Sequence, residues 1–171
     1  MSEQVRMTLR LALTALLAFG AAAHAQAPPV AEDLRSPRTT LDTFLGGQLQ
    51  DEISWDSVTA TLDFDPGVAA DERQLTATQL KSVLDGRGLF VRMDVVPADP
   101  EYVDPDTREA AFTPFPIRLP EFQVRRGADQ AWRIAARTVR AAEGLYEDTF
   151  SWYARSLLDL LPPVVERSFL G

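Results

Sequence analysis

The residue types that most enzymes use for acid–base and nucleophilic chemistry are nearly missing from this sequence of 171 residues. It contains no cysteine and a single histidine, His24. Hydrolytic triads need an imidazole or an equivalent base beside the nucleophile, and the common zinc and thiolate sites need histidine or cysteine. The composition therefore argues against these classes of enzyme and metal site, and we expect neither enzymatic activity nor a cofactor.

Three other groups of side chains have types and spacings that could support catalysis or cation binding. Thr78 and Lys81 have the spacing of Ser-x-x-Lys nucleophiles, but threonine replaces serine and no companion motif is present, so a solvated helix face is favoured. Asp63 and Asp65 flank Phe64 in a turn, where carboxylates more often cap helices than act as acid and base. Four acids in a proline-containing stretch could approach a hard cation such as calcium, but the calcium-loop pattern is missing and a solvated acidic loop is favoured. These four are Asp99, Glu101, Asp104 and Asp106.

Charge is distributed unevenly along the chain. Residues 42–72 contain eight acids and no base, whereas residues 118–140 contain six arginines and only two acids. The arginine-rich stretch could face anionic lipid headgroups or an acidic partner. The alternative, which we favour, is that these arginines pair with acids of their own fold or lie in water. The candidates for a partner-facing or lipid-facing surface are Arg125, Arg126, Arg133, Arg137 and Arg140.

The N-terminal segment has the order of regions that a secretory signal peptide requires. Arg6 and Arg10 precede an apolar run over 11–19, and small residues follow as far as Ala23 and Ala25. We predict cleavage after Ala25, which would remove His24, and export to the periplasm. The apolar run is shorter than the roughly 20 residues that span a bilayer, so an uncleaved anchor is disfavoured. We expect no membrane span in the mature chain.

Cleavage would remove two arginines and one glutamate and change the formal net charge from −8 to −9. An acidic chain of this kind argues against nucleic acid as a partner, because phosphate backbones bind clustered positive charge. Since no cysteine is present, burial and hydrogen bonds must stabilise the fold. We predict four parts: a signal peptide over 1–25, a flexible leader over 26–35, one domain over 36–161, and a C-terminal tail over 162–171.

The apolar periodicity predicts an α+β fold, with helices on one face of a small antiparallel sheet. Three N-terminal helices are expected over about 37–48, from Ser54 to the turn at 65–67, and over about 70–85. Alternation over 89–95 predicts a strand, and residues 97–120, with six prolines, a surface loop. A hairpin is expected about the turn at 127–130. Two C-terminal helices should follow, one capped by Thr138 and one over about 149–161.

Short segments follow one another in a characteristic order along the chain: Ser36–Leu45, Leu62–Asp65, Leu80–Asp85, Ala131–Ala135, Thr138–Val139, Leu145–Tyr146 and Leu161–Pro163. In order and spacing they resemble the periplasmic region that precedes the membrane spans in some bacterial proteins of the small-conductance mechanosensitive channel family. The resemblance covers about residues 35–171. It does not extend to the parts that define the family, which are the membrane helices, the pore helix and the cytoplasmic vestibule. No residue of this sequence can therefore be assigned to a pore.

This resemblance implies a non-catalytic periplasmic domain that acts in assembly or in regulating the gate, with channel subunits or envelope components as partners. The chain is then either a fragment that precedes a missing membrane span, and so is associated with the inner membrane, or a free-standing relative. The alternative function is a soluble periplasmic module that binds a ligand or a partner. A hydrolase built on Asp63 or Asp65 is the least favoured hypothesis.

Overall fold

A computed structural model describes residues 30–160 of the chain, and the side chains as far as Ser151. It confirms the α+β class, with four α-helices and one small antiparallel sheet in this part of the chain. A 3₁₀ turn over Glu32–Leu34 precedes them. The helices are α1 (Pro37–Gly46), α2 (Trp55–Ala60), α3 (Ala70–Gly86) and α4 (Ala136–Leu160), and the strands are β1 (Ala111–Phe112), β2 (Val124–Arg126) and β3 (Trp132–Ile134).

Helix α1 begins as its sequence predicts. Ser36 is the N-cap and Pro37 the first helical residue, where the missing proline N–H leaves no hydrogen bond unmade. The Ser36 hydroxyl accepts a hydrogen bond from the Thr39 backbone N–H at 3.2 Å, and the Thr39 hydroxyl accepts one from the Ser36 N–H at 3.0 Å. This reciprocal capping box directs Leu41 and Phe44 into the core, where both are fully buried.

Helix α3 ends in a Schellman motif. The Leu89 N–H donates to the Leu84 carbonyl at 2.8 Å, and the Gly88 N–H donates to the Asp85 carbonyl at 3.0 Å. The left-handed residue is Gly88, with φ of +60°. Leu75 of the same helix faces solvent and is 57% exposed.

The sheet has the order β1-β2-β3 with both pairings antiparallel. The predicted hairpin is confirmed: Arg126 lies opposite Trp132, and the Gly127 N–H donates to the Ala131 carbonyl at 2.8 Å across the turn. Beyond β3, Leu62 forms a parallel bridge with Ile134. Since residues 61–63 pair with the sheet edge in this way, α2 ends at Ala60, earlier than predicted.

The predicted strand over 89–95 is not formed. Leu89 is buried and Phe90 exposed, as the alternation requires, but a turn in which the Val95 N–H donates to the Arg92 carbonyl brings Val96 into the core instead of Val95. The strand that joins the hairpin in the sheet is instead β1, which lies inside the predicted loop of 97–120. The alternation of apolar and polar residues over 89–95 thus comes from a segment that packs against the core without pairing with a neighbouring strand.

The two predicted C-terminal helices are one continuous helix, α4, of 25 residues. No glycine or proline separates Leu145 from Thr149, so the helix has no local reason to end there. Thr138 does not cap it, because α4 begins at Ala136. The predicted last helix has its apolar stripe at Tyr153, Leu157 and Leu160, and these side chains lie outside the described set.

The proline-containing stretch after Val96 is held against the core by hydrogen bonds to its carbonyls. The Arg38 guanidinium donates to the Val96 carbonyl at 2.8 and 3.0 Å, and the Arg38 N–H donates to the Pro97 carbonyl at 3.0 Å. The Pro100 carbonyl accepts from the Trp132 indole at 2.9 Å and from Arg126 at 3.1 Å. The stretch therefore lies at the surface with fixed attachment points.

Among residues 30–160, the helices are too short or too polar for any of them to cross a membrane. The predicted cleavage residues Ala23 and Ala25, and the predicted tail over 162–171, lie outside the described residues.

Candidate functional site

Four of the five candidate arginines meet at one groove of about 300 Å³, between the hairpin and the start of α4. We call it the arginine groove. It lies where β2, β3 and the first turn of α4 come together, and the segment at 61–63 forms its remaining wall. Its polar lining consists of Asp63, Arg125, Arg126, Arg133 and Arg137, and its other lining residues are Gly127, Ala131, Ala135 and Ala136.

Arg125 and Arg133 lie directly opposite each other on β2 and β3. Like charges in this position destabilise a sheet unless they are compensated. Arg125 contacts Glu109 at 3.1 Å, and Arg133 makes a bidentate pair with Asp129 at 2.8 and 3.1 Å. Both arginines are thus oriented by a carboxylate on one side while they line the groove.

The hydrogen bonds from Arg133 hold the pKa of the Asp129 carboxyl below its usual range, although partial burial opposes this shift. The Ala131 N–H also donates to Asp129, at 3.2 Å, and favours the ionised form. Asp129 is therefore a fixed negative charge at neutral pH that holds both the hairpin turn and Arg133.

Arg126 lines the groove but its guanidinium has structural partners. It contacts Glu101 at 2.6 Å, donates to the Pro100 carbonyl, and lies 5.9 Å from the centroid of the Trp132 ring. Its side chain is only 16% exposed. These contacts join the hairpin to the acidic stretch and leave Arg126 the least accessible of the four arginines.

Arg137 and Arg140 lie on α4 in different surroundings. Arg137 is exposed and makes one long contact, at 3.5 Å, with the Pro120 carbonyl. Arg140 contacts Asp65 at 3.3 Å and lines a neighbouring shallow cavity between α3 and α4. The structure therefore groups Arg137 with the hairpin arginines and separates Arg140 from them.

The other candidate groups do not assemble into sites. Lys81 pairs with Asp85 at 2.5 Å, and the Thr78 hydroxyl donates to the Gln74 carbonyl, so both lie on one polar face of α3 without facing each other as base and nucleophile. No group of three or more metal-ligating side chains occurs among the described residues. Asp104 accepts hydrogen bonds from the N–H groups of Asp106 and Thr107, and the Thr107 N–H lowers its pKa most.

The sequence predicts Asp63 only as a neighbour of Asp65 in a turn, whereas the fold places it in the wall of the arginine groove. The Ile134 N–H donates to the Thr61 carbonyl at 2.7 Å, and the Asp63 N–H donates to the Ile134 carbonyl at 2.9 Å. This bridge carries Asp63 to the arginines. No local pattern reports a pairing between residues more than seventy positions apart, so the sequence held no signal for it.

A larger cavity, of about 630 Å³, lies near the C-terminal end of α3. Its described lining includes Arg87, Leu89, Arg118 and Thr149. The Arg87 guanidinium donates to the Thr149 hydroxyl at 2.8 Å and to the Leu145 carbonyl at 3.4 Å. Arg118 donates to the Arg87 carbonyl at 2.8 Å. Arg87 therefore ties the end of α3 to α4, a role that its sequence context did not predict.

Comparison of the chain with protein-family models, with curated proteins and with solved structures finds no match.

Proposed function

We propose that this chain is a non-catalytic periplasmic domain that acts through mechanical contact, in the assembly or gating regulation of a membrane partner of the mechanosensitive channel type. The observation that carries the proposal is α4. It is a single helix of 25 residues that begins at the sheet and runs to Leu160, close to the C-terminal end of the sequence. A helix of this length extends about 37 Å, so it can transmit a displacement across the domain.

The attachment of α4 suits such a role. At its start the Thr138 hydroxyl donates to the Glu121 carbonyl at 2.5 Å and accepts from the Gln123 N–H at 3.2 Å. Further along, α4 packs on α3 through Ala142, which is buried in the common core. A force applied beyond Ser151 would therefore reach the sheet through a fixed helix rather than through a flexible link.

Gly144 offers a test of this coupling, because a methyl group at its position would meet no atom within 4 Å. Gly144→Pro interrupts the helix and costs about 3 kcal/mol in a helix interior, whereas Gly144→Ala is the matched control that favours the helix. We expect cells carrying the proline variant to lose the protein's contribution to survival of hypo-osmotic shock, and the alanine variant to behave as the natural chain. If a folded proline variant supports survival as well as the alanine variant does, mechanical coupling is contradicted.

The second test is genetic. The proposal predicts a membrane-spanning segment encoded in frame directly after Gly171, or a channel subunit that co-purifies with the chain. If the gene has no such continuation and the purified chain captures no channel subunit, the link to a channel is contradicted.

The alternative function, a free-standing module that binds a ligand or a partner, is favoured by a different observation. The arginine groove gathers guanidinium groups from two strands and a helix around one concavity. Ligand-dependent thermal stabilisation of the purified chain would support this function, since a ligand that binds only the folded state raises its stability.

A further inference from the structure

We propose that the arginine groove binds a phosphate group that carries a proton, as inorganic phosphate does at neutral pH and a phosphate monoester does below its second pKa of about 6. The proposal concerns this groove alone and does not depend on whether the chain is coupled to a channel. A volume of about 300 Å³ lies at the small end of ligand pockets, which suits a phosphate group with a few further atoms.

The arginines keep donors for such a ligand. A guanidinium has five N–H donors, and contacts within the described part of the chain use two of those of Arg133 and one of those of Arg125. The pair of Arg125 with Glu109 joins side chains that are 42% and 51% exposed, so it is weak and leaves the guanidinium adaptable. Within residues 30–151, Arg137 makes a single 3.5 Å contact, with the Pro120 carbonyl.

The placement of these arginines favours phosphate. Arg125 and Arg133 line the groove from adjacent strands and Arg137 lines it from the first turn of α4, so three arginines border it on two sides. A tetrahedral oxyanion presents oxygens to several such donors, and guanidinium groups match it with paired hydrogen bonds. The positive end of the 25-residue helix opens into the same groove at Ala136 and adds to the attraction.

Asp63 supplies selectivity. A carboxylate in the wall of the groove repels a fully deprotonated anion such as sulfate. Phosphate at neutral pH retains a P–OH group, which can donate a hydrogen bond to the Asp63 carboxylate. The combination of arginines with one carboxylate therefore favours protonated phosphate over sulfate, although both are tetrahedral and of similar size.

The experiment is a titration of the purified chain with sodium phosphate and with sodium sulfate at pH 7 and constant ionic strength, followed by calorimetry and by amide chemical shifts. We expect phosphate to bind, with the largest shifts at Gly127, Ala136 and Arg137, and sulfate to bind at least about tenfold more weakly. Absence of phosphate binding, or equal binding of the two anions, overturns the proposal.

Three variants sharpen this result. Arg137→Gln should weaken phosphate binding about tenfold. Arg92→Gln is the matched control, because it removes the same charge from an exposed pair with Asp94 whose residues do not line the groove. Asp63→Asn should allow sulfate to bind as well as phosphate, which is a gain that a misfolded chain cannot give. Equal losses in Arg137→Gln and Arg92→Gln, or unchanged selectivity in Asp63→Asn, contradict the assignment.

Two further probes distinguish a lipid headgroup from a soluble monoester: glycerol phosphate, and phosphatidylcholine vesicles that contain phosphatidic acid. Both are used at pH 6, where about half of a monoester phosphate keeps its proton. Vesicle binding that inorganic phosphate displaces identifies a lipid headgroup, and binding of glycerol phosphate without vesicle binding identifies a soluble monoester. Both results support a phosphate site. Failure of both probes together with inorganic phosphate overturns it.

Discussion

The two ends of residues 136–151, the part of α4 whose side chains the structure describes, are held in different ways. At the start, Thr138 is fully buried, and its hydroxyl links the helix to two backbone groups of the segment before β2. Eleven residues later Thr149 is 4% exposed, and its hydroxyl accepts a hydrogen bond from one side chain, Arg87. The first end is thus bound to backbone, and the second is bound to a long side chain.

This difference shows how one helix can be both fixed and releasable. Backbone groups near Thr138 cannot move without disturbing β2 and the core, so the start of α4 should open only when the domain unfolds. The tie at Arg87 depends on rotatable bonds and borders a cavity of about 630 Å³. The far end should therefore open locally, with a free energy below that of global unfolding.

The largest effect should come from the first end. Thr138→Val keeps the shape of the side chain but leaves the Glu121 carbonyl and the Gln123 N–H without their partner. We expect a loss of about 1–3 kcal/mol in the free energy of unfolding, measured by urea denaturation. A loss no larger than that of Thr149→Val would show that the start of the helix is not the more firmly bound end.

A smaller and local effect is expected at the far end. Arg87→Ala removes both hydrogen bonds to α4 and should lower the opening free energy of residues 145–151 by about 1 kcal/mol, measured by amide hydrogen exchange. Exchange near Thr138 should not change. Thr149→Val should add little to Arg87→Ala, because Arg87→Ala already removes the hydrogen bond between the two side chains. Equal acceleration at both ends would contradict the comparison.

The smallest effect concerns the hairpin beside the first end. Because Arg133 lowers the pKa of Asp129 in the folded protein, this pair stabilises the fold above the ordinary aspartate pKa, and the contribution is lost as the pH falls through the lowered value. Asp129→Asn should therefore cost up to about 1 kcal/mol at pH 7 and nothing in strong acid, since the pair is partly exposed.

Urea denaturation of both chains across that pH range measures the difference. In the Asp129→Asn background, Arg133→Gln should cause no further loss at pH 7. A stability difference that does not depend on pH would argue against a role for the ion pair.

Local patterns in the sequence account for much of this fold. Ser36 and Pro37 predict the start of α1, and Gly127 and Asp129 predict the hairpin turn, because capping and turn residues act on the backbone nearby. The missed strand β1 lies within a proline-rich stretch and pairs with β2 over two residues only. Its existence depends on a partner distant in sequence, which periodicity does not report.

The candidate site was predictable in the same partial way. The local density of arginine indicates the five candidates. Because the turn fixes the register of the hairpin, the cross-strand pairing of Arg125 with Arg133 could also be predicted from the sequence. Predicting the groove itself would have required two further features, the residue at which α4 begins and the bridge that places Asp63 beside β3. Both arise from tertiary contacts.

The attachment of the proline-containing stretch has a consequence for the continuity of the chain. Its beginning is tied to α1 through Arg38, and its middle is tied to the hairpin through Arg126 and Trp132. Arg108 lies further along, exposed and with φ of 61°. A nick after Arg108 would therefore leave two fragments that still share one core, so this domain is suited to reassembly from two separately made pieces.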